Sequence, residues 1–257
     1  MLTPPEIAQS LLAAGESKAR LPLGKMLLLA ILAGAYIALA GVGATAAAVT
    51  VESGSLAKLL SACVFPAGLS MVILAGSELF TGNCLMVMAL LERRITPAQL
   101  LRNWLTVYLG NAVGGAAVAA LAVYSHTASL FGDGLARSMV SIAESKAALG
   151  FGDAFLRGVL CNFLVCLAVW MAAASKRAEG KVIALFFPIL LFVLCGYEHC
   201  IANLYYLPAG AFAAAEYGME TTLTLAGCLE NLAAVTLGNL VGGAVLGVGY
   251  RFAYLKE

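Results

Sequence analysis

Glu78, Glu198 and His199 all lie deep inside long apolar runs, where ionisable side chains are costly. Of the fourteen acidic residues only these two glutamates sit well inside such runs. No Lys or Arg does, and His199 is the one other ionisable group there once thiols and phenols are set aside. A charge at the centre of a membrane helix costs ~2.5–3.5 kcal/mol on insertion scales. Both carboxylates must therefore be paired, neutral or hydrated. An imidazole, with an unperturbed pKa of ~6.5, exchanges protons near neutral pH. Such a set suits ionic or protonatable cargo. Metal chemistry would need a denser ligand cluster than one deep histidine and two glutamates from different halves of the chain. A Ser-His-Asp arrangement would lack its intramembrane Asp. An enzyme is therefore the weaker reading, and no cofactor or metal is implied.

Each glutamate follows a glycine by two residues. Gly76-Ser-Glu-Leu-Phe-Thr-Gly-Asn83 and Gly196-Tyr-Glu-His-Cys-Ile-Ala-Asn203 share the pattern Gly-x-Glu-x4-Asn, and Phe-Pro lies upstream of each, at Phe65-Pro66 and Phe187-Pro188. Glycine there permits a helix break, and broken helix frees backbone N–H and C=O groups that lipid cannot satisfy. The pattern predicts two interrupted helices whose breaks line one conduit. His199 is the asymmetric element, because its counterpart in the first motif is Leu79. His126 reads as an ordinary exposed or interfacial residue.

The elements that position these residues follow from composition. Hydrophobic residues make up 62% of the 257 and charged ones 11%, against about 25% charged in soluble domains. Six apolar stretches are long enough to span a bilayer, which takes ~20 residues: roughly Met26–Val51, Leu59–Leu91, Trp104–Tyr124, Ala154–Ala174, Val182–Tyr217 and Leu229–Tyr250. The second and fifth are too long for one simple crossing and carry the two glutamates. The residues before the first span are polar and carry no signal-peptide pattern. With six spans, one side holds both termini and Lys18, Arg20, Lys25, Arg93, Arg94, Arg102, Lys176, Arg177, Lys181, Arg251 and Lys256. The other holds only Lys58, Arg137, Lys146 and Arg157. The positive-inside rule places the termini in the cytoplasm of a plasma (inner) membrane protein. A net charge of +1 gives no basic field for nucleic acid. The seven cysteines form no CxxC pair and read as small buried hydrophobes.

The halves also match elsewhere. Asn103-Trp-Leu-Thr-Val-Tyr-Leu-Gly-Asn-Ala-Val-Gly-Gly-Ala116 aligns with Asn231-Leu-Ala-Ala-Val-Thr-Leu-Gly-Asn-Leu-Val-Gly-Gly-Ala244, with nine of fourteen positions identical. Three spans per half is odd, so the second half enters from the opposite side, giving a 3+3 inverted repeat around a path near the midplane. The first repeat covers about residues 20–125 and the second about 150–254 of a single channel domain, 1–257. The glycine pairs Gly114-Gly115 and Gly242-Gly243 allow close helix packing.

These motifs, with Val235-Thr-Leu-Gly-Asn-Leu-Val-Gly-Gly243 and Cys161-Asn-Phe-Leu-Val-Cys-Leu-Ala-Val-Trp170, resemble the signatures of the formate/nitrite transporter family. The resemblance implies an all-α, aquaporin-like protomer with interrupted second and fifth helices, assembled as a homopentamer in a lipid bilayer. It implies passage of a small monovalent anion, formate or nitrite first, with hydrosulfide or lactate as alternatives. His199 and Thr81 then lie at the pore, Asn162 and Asn239 near it, and Leu69, Leu79, Phe80 and Phe192 form its constrictions. Lys18 and Lys146 match vestibule lysines. The resemblance further implies that each engages an asparagine of the opposite half, as Glu78–Lys18–Asn203 and Glu198–Lys146–Asn83. A neutral-solute channel is the remaining rival, but the paired Asn-Pro-Ala breaks typical of such channels are absent.

Overall fold

The computed structural model describes residues 1–255, so Lys256 lies outside the described residues. Every regular element among the described residues is helical. The chain opens with α1 (Pro4–Ala19), which a capping box of Thr3 and Glu6 starts, and continues into the long apolar α2 (Leu23–Ala48). Next come α3 (Gly54–Val64) and α4 (Pro66–Ala75), joined at Phe65 into one apolar length. After a non-helical stretch the chain resumes as α5 (Phe80–Asn83), a 3-10 turn at Cys84–Met86 and α6 (Val87–Leu91). The first half ends with α7 (Pro97–Tyr124). The second half repeats the order with α8 (Gly134–Ala147), α9 (Phe151–Ala173), α10 (Ala178–Leu194), α11 (Cys200–Glu216) and α12 (Leu225–Tyr254).

Among the described residues, five lengths are long and apolar enough to cross a membrane: α2, α3 with α4, α7, α9 and α12. The expected fifth span is divided between α10 and α11, of seventeen residues each. The second and fifth expected spans are thus the two that break. Gly76, at φ 78°, and Gly196, at φ 69°, take left-handed backbone where α4 and α10 end. That conformation is open to glycine without penalty. The helices overrun the apolar limits read from the sequence, because hydropathy sees only the embedded part. α7 begins at Pro97, where Thr96 and Gln99 form a capping box.

Two sequence expectations change. The Phe-Pro pairs are not equivalent: Pro66 follows the joint between α3 and α4, whereas Pro188 lies inside the continuous α10. Phe65 is buried and Phe187 is exposed. Nor are all the cysteines buried. Cys84, Cys161, Cys166 and Cys200 are, but Cys63 and Cys195 are exposed and Cys228 is intermediate.

The core lies between the halves and the outer face is apolar, with Leu105, Leu109, Leu156, Leu160, Leu237 and Val245 exposed. Within each half the first and third long helices touch through glycine. A Cβ at Gly114 would stand 2.0 Å from the Ile31 carbonyl oxygen of α2, and one at Gly242 would stand 2.1 Å from that of Val159 on α9. Both partners are backbone, so neither contact can yield by side-chain rotation. Replacing Gly242 with Val should separate α9 from α12 at a cost of about 1–3 kcal/mol or more. Thermal unfolding of the detergent-purified protein, followed by size exclusion, checks this. A wild-type melting temperature would show that the close approach is dispensable.

Candidate functional site

Each helix break places three residues between the first and third long helices of its own half, and the two arrangements correspond atom for atom. The Glu78 N–H donates to the Leu29 carbonyl on α2 (3.2 Å), and the Glu198 N–H to the Arg157 carbonyl on α9 (3.3 Å). Asn111 on α7 accepts from the Phe80 N–H (3.0 Å) and donates to the carbonyls of Glu78 (2.9 Å) and Ala30 (2.7 Å). Asn239 on α12 accepts from the Cys200 N–H (2.9 Å) and donates to the carbonyls of Glu198 (2.9 Å) and Gly158 (2.8 Å). Each amide side chain thus supplies the hydrogen bonds that a continuous helix would have made for itself.

The glutamates are buried as ion pairs. Lys18 Nζ, from α1, lies 2.7 Å from Glu78 Oε1, and Lys146 Nζ, from α8, lies 2.9 Å from both oxygens of Glu198. The asparagine partners correct the expected pairing. Asn83 Nδ2 donates to Glu78 (2.7 Å) and Asn203 Nδ2 to Glu198 (2.7 Å), so each carboxylate takes the asparagine of its own half. Both members of each pair flank one break, five residues apart, which makes the local partner the nearer one. Asn103 and Asn231 extend the two networks by accepting from Asn83 and Asn203. The first network is the fuller, since Lys18 also donates to Asn83 Oδ1 (2.9 Å), while Asn203 Oδ1 is buried without a partner.

Two cavities approach the protein centre from opposite ends and share no lining residue. The cavity on the α1 side, about 380 Å³, is lined by Lys18, Glu78, Leu69, Val72 and Leu79 among others. The cavity on the α8 side, about 840 Å³, reaches Lys146, Glu198, Phe65, Phe192 and His199. Phe65 stands edge-on to Phe192 with centroids 5.7 Å apart, and Phe192 stacks on His199 at 5.8 Å. Thr81, fully buried, meets His199 Nε2 at 3.0 Å in the closed middle. His199 Nδ1 accepts the Ala202 N–H at 3.0 Å and so caps α11. The neutral ring therefore carries its proton on Nε2, facing the Thr81 hydroxyl.

The structure puts Leu69, Leu79 and the Lys18–Glu78 pair in the lining of the α1-side cavity, Phe192, His199 and the Lys146–Glu198 pair in that of the α8-side one, and joins Thr81 to His199. Phe80 stands apart: it packs edge-on against Trp104 and Tyr108 and lines neither cavity. Asn162 and Asn239 are fully buried and occupied by backbone, Asn162 donating to the carbonyls of Thr81 (3.3 Å) and Asn239 (2.7 Å). Sequence reasoning missed Asn103, Asn111 and Asn231 as site residues. All three stand at identical positions of the aligned repeat segments, which is the signal that could have found them. It also missed Phe65 as a partner of Phe192.

An inverted pair of interrupted helices, each with a buried Lys–Glu pair and facing a cavity at one end, is the architecture of a membrane channel or transporter. The formate/nitrite transporter family profile matches residues 5–253, and the chain belongs to that family. It is 38% identical to a "Probable formate transporter" of Methanothermobacter thermautotrophicus, over 99% of this chain and 98% of that protein. It is 39% identical to the "Formate channel FocA" of Haemophilus influenzae, over 86% and 83% of the two chains. A solved "FNT family ion channel" superposes with a TM-score of 0.87 at 32% identity, covering 96% of this chain and 98% of that one. A "Pentameric formate channel with formate bound" does so with a TM-score of 0.80 at 33% identity, covering 91% and 98%. These relatives are channels and transporters, not enzymes.

Removing one partner of a buried ion pair leaves an uncompensated charge and costs about 3–5 kcal/mol. Lys146→Met should therefore destabilise the protein strongly, and adding Glu198→Gln in the same chain should restore much of the loss. Thermal melts of the single and double variants measure the coupling. Equal melting temperatures in both would mean that the two side chains do not interact.

Proposed function

We propose that the chain passes formate, or a monovalent anion of similar size, across the plasma (inner) membrane, and that passage is linked to protonation at His199. The formate channels and transporters among its relatives support formate as the cargo, and the pentameric relative supports a homopentamer in which each protomer carries its own path. The bias of Lys and Arg supports an orientation with both termini and the α1-side cavity facing the cytoplasm.

The observation that carries the reading is the hydrogen bond between Thr81 Oγ1 and His199 Nε2: His199 lines the α8-side cavity, and Gly82, next to Thr81, lines the α1-side one. A bare anion would meet a prohibitive desolvation cost in an apolar constriction. Lys18 and Lys146 draw anions into the two mouths. With Nδ1 held as an acceptor, the ring offers its Nε2 proton toward Thr81, whose own hydroxyl proton is then free to turn to the solute. A proton passed to the anion of a weak acid at this point lets the neutral species cross the apolar constrictions, Leu69 and Leu79 on the α1 side and Phe192 on the α8 side. A proton taken up from water in the α8-side cavity, which His199 lines, makes the ring the imidazolium that donates, and transfer to the anion returns the ring to its neutral form.

Flux should accordingly rise as pH falls, because the neutral acid becomes more abundant and the ring is more readily reprotonated. In proteoliposomes, His199→Ala should lower formate flux roughly tenfold or more and flatten its pH profile, as loss of a general acid does. Thr81→Val, which keeps the volume and removes the hydroxyl, should act in the same direction. Unchanged flux with the wild-type pH profile in His199→Ala would refute proton-linked passage. A parallel panel of formate, nitrite, hydrosulfide and lactate ranks the cargo, with formate expected fastest and the bulkier lactate slowest.

A further inference from the structure

The four cations that the span count leaves on the side opposite the termini are Lys58, Arg137, Lys146 and Arg157. All four line the α8-side cavity. That side of a membrane protein is normally poor in Lys and Arg. Here its whole complement stands around one mouth, on three separate elements: Lys58 on α3, Arg137 and Lys146 on α8, and Arg157 on α9. The one carboxylate in the lining, Glu198, is taken up by Lys146. Glu144, nearby on α8, is turned to Thr221 and Thr222 and does not line the cavity. Lys58, Arg137 and Arg157 therefore face the cavity with no carboxylate in salt-bridge range among the described residues. The opposite mouth has nothing similar: Lys18 is the one cation lining it, and Glu78 is beside it.

We propose that the α8-side mouth is a binding site for a small multivalent oxyanion, distinct from the monovalent cargo, and that its occupant obstructs the path to His199. A single exposed cation holds a single anionic charge weakly in water. A monovalent solute thus passes these side chains without being retained. A ligand with two or three anionic groups engages several cations at once, each contact raising the effective concentration for the next. The cavity, about 840 Å³, falls within the ~300–1,000 Å³ of ordinary small-molecule sites and is far larger than a one-carbon acid requires. Because Lys58, Arg137 and Arg157 line one cavity, a single occupant meets all three charges. The hydroxyls of Ser138, Ser141 and Ser145 on the α8 wall add neutral partners between the cations. A di- or tricarboxylate and a condensed phosphate share the required chemistry.

Calorimetry on the purified full-length protein at low ionic strength tests this with citrate, pyrophosphate and, as the monovalent control, acetate. Citrate or pyrophosphate should saturate one site per chain and acetate should not. Which of the two binds identifies the source as a carboxylate or a phosphate. The triple variant Lys58→Gln/Arg137→Gln/Arg157→Gln should weaken binding roughly tenfold or more, and added NaCl should weaken it in the wild type. The bound anion should also slow formate flux in proteoliposomes from the α8 face alone. Should the triple variant not fold, Lys58→Gln and Arg157→Gln singly must each weaken binding several-fold. Absence of binding by both multivalent anions overturns the proposal. Affinity that is indifferent to neutralisation and to salt, or acetate bound as tightly as citrate, does the same. Because binding is read without a transport assay, it stands or falls separately from formate passage.

Discussion

A peptide group outside a helix but inside a bilayer has no water to bond, so the protein itself must receive it. Both breaks in this chain meet that requirement with one asparagine each, Asn111 and Asn239, whose three hydrogen bonds tie the non-helical backbone to the first long helix of its half. The other features of the site depend on this. Once the backbone is held non-helical, residues that would have pointed around a helix instead project along the two cavities. Glu78 and Glu198 can then meet a lysine, and His199 can cap α11 while its other nitrogen faces Thr81.

The buried carboxylates bring two peripheral helices into the membrane protein proper. α1 and α8 are neither long nor strongly apolar, yet each delivers the ammonium group without which a carboxylate would stand uncompensated. Their docking is therefore part of the energetics of the core. The two halves solve the problem slightly differently. Lys18 bridges its carboxylate and asparagine, whereas Lys146 takes both carboxylate oxygens and also lies over the Tyr206 ring, 5.3 Å from its centroid.

The sequence carried most of this plan where the physics is local or repeated. Gly-x-Glu in an overlong apolar run announced both breaks, because lipid makes ionisable residues and left-handed glycine conspicuous there. The inverted repeat was legible from Asn103–Ala116 and Asn231–Ala244. What stayed hidden depends on three-dimensional adjacency. The two asparagines at the ends of the Gly-x-Glu motifs were expected to cross between the halves, yet each folds back five residues onto its own glutamate. Phe80 sits in the right motif but turns toward Trp104 and Tyr108. The helices α1 and α8 escape hydropathy because they are short and half polar.

Tyr108 and Thr236 occupy matching places in the two halves, 128 residues apart, and are hydrogen-bonded to each other at 3.1 Å. Residues related by an approximate two-fold axis can touch only where they straddle that axis, so this contact marks where it runs. An ancestral dimer of identical halves would have set like against like there. The present chain sets a phenol against a secondary alcohol and, close by, an imidazole against a threonine. The two halves thus present different groups where they meet.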